Sequence, residues 1–205
     1  MNPAPMKKRG MAGWYFLCLT VAFCAVGALW FELKNTPPPL QKIRQLSDFK
    51  LTECRGGDVH LSDLKGKVWL ADFVYTTCPS TCPMLSSRLA VLQDEAFKND
   101  AVRFVSISVN PAHDTPDVLR PYADKYHAKQ GKWFFLTGDK TRVTELVSGG
   151  FLLTMKGAPD GSNDMVHSTK IVLVDKAGVI RAYYEGAVAD ETHRISRDIR
   201  RLLRE

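Results

Sequence analysis

Two patterns of apolar residues divide this chain. From Met11 to Phe31 the run of apolar and aromatic positions is almost unbroken and carries no charge. A helix rises about 1.5 Å per residue, so such a run spans roughly 30 Å, the depth of a hydrocarbon core. Trp14, Tyr15, Trp30 and Phe31 sit at its two ends, where amphipathic rings favour the headgroup level. Lys7-Lys8-Arg9 stands in front and predicts a cytoplasmic N-terminus with the remainder exported. Val26-Gly27-Ala28 offers small residues for signal cleavage, but Trp30 and Phe31 carry the apolar run past them, so an uncleaved anchor is expected. A lipid-modified Cys24 is disfavoured by the bulky Phe23 before it. The organisation expected is residues 1–10 cytoplasmic, 11–33 a transmembrane anchor, 34–46 a linker stiffened by Pro37-Pro38-Pro39, and 47–205 an exported domain.

Beyond the linker the pattern is that of a mixed α/β domain. Phe49 to Cys54 alternates, Gly56-Gly57 turns, and Val59 to Leu61 returns, which predicts a hairpin. Val68 to Tyr75 is nearly continuously apolar, as in a central strand covered on both faces. Pro83 to Phe97 has helical spacing, and Val102 to Val109 is a second buried strand. Asp114 or Thr115 caps a helix that reaches Tyr126, with Pro116 early in it. A short strand over Trp133–Leu136, a helix over Lys140–Ser148 and a strand over Phe151–Met155 follow, then a polar loop from Gly157 to Asp164. Ile171–Val174 and Val179–Tyr184 form a hairpin, and Asp190–Arg204 an amphipathic helix. Strand–helix–strand crossovers ending in a hairpin and a helix predict a thioredoxin-like central sheet flanked by helices.

Composition adds little except through its distribution. The net charge of +6 invites a nucleic-acid reading. Half of it is Lys7-Lys8-Arg9, however, and the arginines of the terminal helix are offset by Asp190, Glu191, Asp198 and Glu205. No basic stripe or aromatic platform remains, so nucleic acid is not an expected partner. Mean hydropathy of −0.16 averages a membrane run with an ordinary domain.

The candidate chemistry lies where the first central strand runs into a helix, at Tyr75-Thr76-Thr77-Cys78-Pro79-Ser80-Thr81-Cys82-Pro83. Cys78 and Cys82 are four apart, which places two thiols together in such a loop. Backbone N–H groups at a helix start favour thiolate over thiol. Two such sulfurs can form a disulfide, attack one, or hold a soft metal such as Cu(I). Two small buried residues, or a plain structural disulfide, are the alternatives. Cys18 and Cys24 are apolar fillers in the anchor, and Cys54 reads as a strand residue.

The stretch Ser62 to Pro83, with Phe73, Tyr75, Thr76, Cys78, Pro79, Cys82 and Pro83, resembles the Sco/SenC family of copper chaperones. The likeness continues through Phe104 to Pro111, Asp114-Thr115 and Val166-His167-Ser168. It implies a thioredoxin-like fold and a role in assembling the binuclear copper centre of cytochrome c oxidase. It also implies copper held by the sulfurs of Cys78 and Cys82 and the nitrogen of His167. Two thiolates suit Cu(I), and an added imidazole makes Cu(II) acceptable. His113, in the loop after a sheet strand, is a weaker ligand candidate, and His60, His127 and His193 weaker still. Two departures stand out: Asn110 replaces the usual acid of an Asp-Pro-x-Arg-Asp pattern, and Val166 replaces an acid before the ligand His.

The expected function is a membrane-anchored copper carrier delivering to the copper-centre subunit of the oxidase. A copper donor protein and a thiol reductant are further expected partners, with the domain on the periplasmic side of a bacterial-type inner membrane or, less expected, at the mitochondrial inner membrane. The alternative is a thiol–disulfide oxidoreductase in which Cys78 attacks and Cys82 resolves. The spacing departs from the usual Cys-x-x-Cys redox pair. A peroxidase pattern would need Pro at Ala71 and Thr at Tyr75, and is absent.

Overall fold

The apolar run near the N-terminus is helical. α1 (Met11–Asn35) has 25 residues, and Trp14, Tyr15, Leu17, Leu19, Val21, Phe23, Val26 and Trp30 are exposed along it. The computed structural model describes residues 11–35, 38–96, 100–154, 156–157, 164–165, 169–188 and 190–205. At 11–13, 16, 28–29, 31–35, 95–96, 156–157 and 164–165 the description covers the backbone alone. Among the described residues no helix is long and apolar enough to cross a membrane. Residues 1–39 form one unit and 40–205 another.

The second unit is built around β4 (Val68–Val74), in which all seven residues are buried. Its backbone pairs in parallel with β5 (Val102–Ser108) and antiparallel with β9 (Lys170–Val174). β5 pairs in parallel with β6 (Trp133–Thr137), which meets β2 (Lys50–Glu53), itself in a hairpin with β3 (Asp58–His60). On the other side β9 pairs with β10 (Val179–Glu185), and β10 with β1 (Arg44–Gln45). The eight-stranded order is β1-β10-β9-β4-β5-β6-β2-β3. Leu46 is buried and its N–H donates to Gly178 O (3.0 Å), so the last residues before position 47 form a sheet edge.

Both faces of this sheet are covered, which is why its central strands read as continuous apolar runs. On one face Val68, Leu70, Phe104, Trp133 and Leu173 meet α3 (Thr81–Val91), α4 (Pro116–Lys125) and α6 (Glu191–Arg204) through Leu85, Leu89, Leu119, Ile195 and Ile199. On the other, Trp69, Phe73, Val105 and Val172 meet Phe151, α2 (Leu61–Leu64) and α5 (Lys140–Thr144). Phe151 stands edge-on to Phe73, with centroids 5.1 Å apart. The expected hairpins and crossover helices are present.

Two expected elements differ. Phe151–Met155 is not a strand where it is described: Phe151 N–H returns to Leu146 O (2.8 Å) and Leu152 has φ of 55°. The apolar residues there fold over the core as a loop. The helices predicted to run to Phe97 and Ser148 leave α geometry early, after Val91 and Thr144, and continue as wider π turns over Leu92–Ala96 and Glu145–Gly150. Phe97 and Met155 lie outside the described residues. The ends of the predicted polar loop pair as a small ribbon, β7 (Lys156–Gly157) with β8 (Asp164–Met165).

One buried cation closes the unit. Arg181, on β10, is 4% exposed. It donates to Asp175 Oδ2 (2.9 Å), to Glu205 Oε2 (2.7 Å) and to the carbonyls of Leu40 (2.7 Å) and Gln41 (3.1 Å). The first residues of the unit, a hairpin turn and the C-terminus therefore meet on one guanidinium, whose planar fork suits several acceptors at once. Arg181→Ala leaves Asp175 buried without its cation, and a loss of about 3 kcal/mol is expected. A shift in denaturant midpoint measures it; an unchanged midpoint would refute the closing role.

Candidate functional site

The cysteine loop begins where β4 ends. Tyr75 O accepts from Cys78 N–H (3.1 Å), which closes a turn. Ser80 leads into α3, and Pro83 lies in its first turn, where the missing donor has no intrahelical partner to lose. Cys82 is the second residue of α3. Its N–H points at Cys78 Sγ, 3.3 Å away, so the loop folds Cys78 back onto the start of α3. Both are free and buried, Cys78 8% and Cys82 4% exposed.

Their surroundings are unequal. Burial raises the Cys78 thiol, but the N–H groups of Cys82 and Ser80, the Cys82 thiol and the Tyr75 hydroxyl all favour its anion, and the net shift is downward. Cys82 is pushed well up, first by burial and then by Cys78 and by the carboxyl of Asp72; only the Tyr75 N–H opposes this. Tyr75 itself is pushed up to about 12 by burial and its bond to Cys78. Cys78 is thus the thiol that ionises more readily, and Cys82 the one that keeps its proton.

A buried carboxylate fixes the loop. Asp114, fully buried, accepts from Thr76 N–H (3.1 Å), Thr76 Oγ1 (2.5 Å) and Ser108 Oγ (2.7 Å). His113 Nδ1 lies 2.9 Å from Oδ1, the oxygen that accepts from Thr76 Oγ1, and 3.3 Å from Thr76 Oγ1 itself. Asp114 therefore ties the loop after β4 to the loop after β5. It does not cap α4, whose N-cap is Thr115 with no side-chain bond.

Residues 38–204 match the profile of the SCO1/SenC family. The chain belongs to that family. It is 33% identical over 144 residues to the SCO1 protein homolog of Bacillus subtilis, covering 69% of this chain and 74% of that protein. Among solved structures it is similar to BsSco, a member of the Sco family of cytochrome c oxidase assembly proteins in which a disulfide switch was identified. That match has a TM-score of 0.69 and 30% identity, over 80% of this chain and 99% of the other. It is also similar to ScoI of Bradyrhizobium japonicum with copper bound (TM-score 0.60, 28% identity, 78% and 100% covered). The mixed α/β sheet is the thioredoxin-like fold of these Sco structures.

Of the expected ligands, Cys78 and Cys82 are brought together; His167 lies outside the described residues. Among the described residues no group of three or more His, Cys, Asp or Glu side chains is placed to hold a metal. His113 sits beside the loop through Thr76, whereas His60 ends β3 and lines a separate groove of about 590 Å³ with Phe49 and Arg142. His127 follows α4 and His193 lies in α6. Cys54 is buried and its thiol is pushed up to about 12 by burial and by Glu53, as suits an inert strand-end residue.

Sequence reading missed Asp72 and the bonding of Asp114 to Thr76. Asp72 is the one charged residue in an otherwise apolar strand, which is a legible signal. It accepts from Ser106 Oγ (2.5 Å), which in turn accepts from Trp133 Nε1 (2.9 Å). Its second oxygen has no partner among the described residues, and burial pushes its carboxyl up to about 7.

Two outcomes follow from these carboxyls. Asp114→Ala leaves the Thr76 amide and two hydroxyls without an acceptor. It is expected to cost about 3 kcal/mol and to change the alkylation rate of Cys78; a native rate would mean that the loop holds without it. The Asp72 carboxyl ionises near 7 in the fold against 3.8 when exposed, so the folded state keeps a proton that the unfolded chain loses. Its contribution is full below about pH 4 and is lost as pH rises through about 7, by up to about 4 kcal/mol. Unfolding midpoints of the native protein should fall relative to Asp72→Asn between pH 5 and pH 8, and parallel curves would exclude this carboxyl as the cause.

Proposed function

We propose that this chain is a membrane-anchored copper carrier that delivers copper to the binuclear copper centre of cytochrome c oxidase during assembly. Cys78 and Cys82 supply two sulfurs and His167 a nitrogen. The observation that carries this reading is the pair of free, buried thiols brought together where the cysteine loop enters α3, with Cys78 biased toward thiolate. Two soft, closely spaced sulfurs fit Cu(I), and an imidazole extends the set to Cu(II). The copper-bound relative from Bradyrhizobium japonicum supports the cargo, and the family of BsSco supports the target.

The residues held by this domain bind and release; they do not transform. Copper displaces the Cys82 proton that burial has retained, so binding releases protons and weakens as pH falls. A copper donor protein and a thiol reductant complete the cycle, since an oxidising compartment would otherwise close the thiols into a disulfide.

Anchoring is part of the proposal. The uncharged run Met11–Phe31 has 21 residues and as a helix would span roughly 30 Å, one crossing. Lys7-Lys8-Arg9 would hold residues 1–10 in the cytoplasm. Residues 11–33 would then form the anchor, 34–39 the linker and 40–205 the copper-binding domain, whose sheet begins before the expected boundary at 47, facing the periplasm of a bacterial inner membrane.

A thiol–disulfide oxidoreductase is the second reading. It is favoured by the unequal thiols: Cys78 would attack a target disulfide and Cys82 would resolve the mixed disulfide. Copper titration of the reduced full chain in detergent separates the two. Stoichiometric binding is expected, with a thiolate-to-Cu(II) absorption band abolished by Cys78→Ser and by Cys82→Ser. His167→Ala should weaken Cu(II) binding while Cu(I) stays bound by two sulfurs. No copper binding together with a readily cycling Cys78–Cys82 disulfide would overturn the carrier reading in favour of the second.

A further inference from the structure

The end of the domain that receives the linker is basic. Arg181 gathers the carbonyls of Leu40 and Gln41 and the carboxylate of Glu205, so the chain enters the domain beside the end of α6. Lys176 Nζ donates to Leu203 O (2.9 Å), and Lys176 O accepts from Gly66 N–H (2.9 Å). The turn before β4, the turn after β9 and the last turn of α6 therefore meet at one place. β1 joins them, its Arg44 opposite Ile180 of β10.

Six cations stand on these segments: Lys42, Arg44, Lys65, Lys67, Arg200 and Arg204. Each is exposed or half-exposed. None forms an ion pair with a described residue. Nearby acids are engaged: Asp175 and Glu205 pair with Arg181, and Asp198 is buried against the Tyr184 hydroxyl (3.0 Å) and Arg201. Asp63 is exposed and accepts from His60 N–H (2.8 Å). Asp190 and Glu191 lie at the opposite end of α6. A charge balance that looks even along the chain is thus uneven in space. Between Lys42 and Arg44, Ile43 is 42% exposed although its N–H is held by Ile180 O (2.9 Å). An apolar side chain flanked by cations suits the boundary between headgroups and acyl chains.

The cysteine loop lies at the other end. β4 begins after Lys67 and delivers the loop after Val74, about 20 Å farther along the strand. The basic end is also the tethered one. Leu40 follows Phe31, the last residue of the apolar run, at a reach of at most about 32 Å of chain.

We propose that this basic end docks on anionic phospholipid headgroups of the membrane that holds the anchor. The tether keeps the patch at high effective concentration there. Each Lys or Arg near such a surface strengthens binding on the order of fivefold. The cysteine loop is thereby presented away from the headgroups. The proposal rests on the anchored reading of the N-terminal run.

The test uses the full chain in lipid nanodiscs, of phosphatidylcholine alone or with added phosphatidylglycerol. A water-soluble N-hydroxysuccinimide ester modifies the lysines, and mass spectrometry reads the rate at each. Lys42, Lys65 and Lys67 should react about fivefold or more slowly in the anionic discs. Lys140 and Lys170, near strand ends on the cysteine side, should not change. Molar salt should remove the difference. Lys65→Glu combined with Arg200→Glu and Arg204→Glu should restore the rates at Lys42 and Lys67. Equal rates in the two discs overturn the proposal. So does protection that is as strong in neutral discs or that survives the charge reversal. A chain that fails to co-purify with either disc refutes the anchor, and with it the tether that docking needs; an inserted chain with unprotected lysines refutes the docking alone.

Discussion

The cysteine loop depends on one buried carboxylate. Strands β4 and β5 run parallel and end at the same edge of the sheet, and each is followed by an irregular loop. Loops of this kind drift unless something fixes them to each other. Asp114 does so, reaching from the loop after β5 to the amide and hydroxyl of Thr76 in the loop after β4. Because it is fully buried and each oxygen is engaged, its charge is compensated locally and its geometry is stiff. The turn that presents Cys78 is built on that fixed point.

From this constraint the inequality of the thiols follows. The Cys78 sulfur lies against the N–H of Cys82 at the start of α3, where unpaired donors favour an anion. Cys82 is buried in the first turn of α3, where the Asp72 carboxyl also disfavours its anion. A strand covered on both faces makes an ionised Asp72 costly, so near neutrality the carboxyl keeps part of its proton. Burial, Cys78 and this carboxyl together hold the Cys82 proton in place. The fold therefore favours ionisation of Cys78 over that of Cys82.

Much of this was legible in the amino-acid sequence. The apolar runs of β4 and β5 and the turn after Val174 declare themselves, because burial on both faces demands unbroken hydrophobicity and tight turns demand small or polar residues. Phe151–Leu153 misleads for the same reason. Its apolar residues are buried, but by folding over Phe73 and Trp69 rather than by extending into the sheet. Asp114 was legible only as a helix cap, since local sequence cannot show that its side chain serves Thr76, 38 positions away.

The departure at Asn110 can be judged against this geometry. In the family pattern the equivalent residue is acidic, and its loss removes a negative charge from the loop beside the cysteines. The contacts that shape the loop here are made by the backbone of Asn110: its N–H donates to Ser108 Oγ (3.1 Å) and its carbonyl accepts from the N–H groups of His113 (3.0 Å) and Asp114 (2.9 Å). Those bonds do not depend on which side chain stands there. The carboxylate that locks the loop is the one the chain retains, Asp114. His113 occupies the position of the pattern's arginine and keeps a ring nitrogen 2.9 Å from that carboxyl. The substitutions therefore change the electrostatics offered to a partner more than they change the frame that holds Cys78 and Cys82.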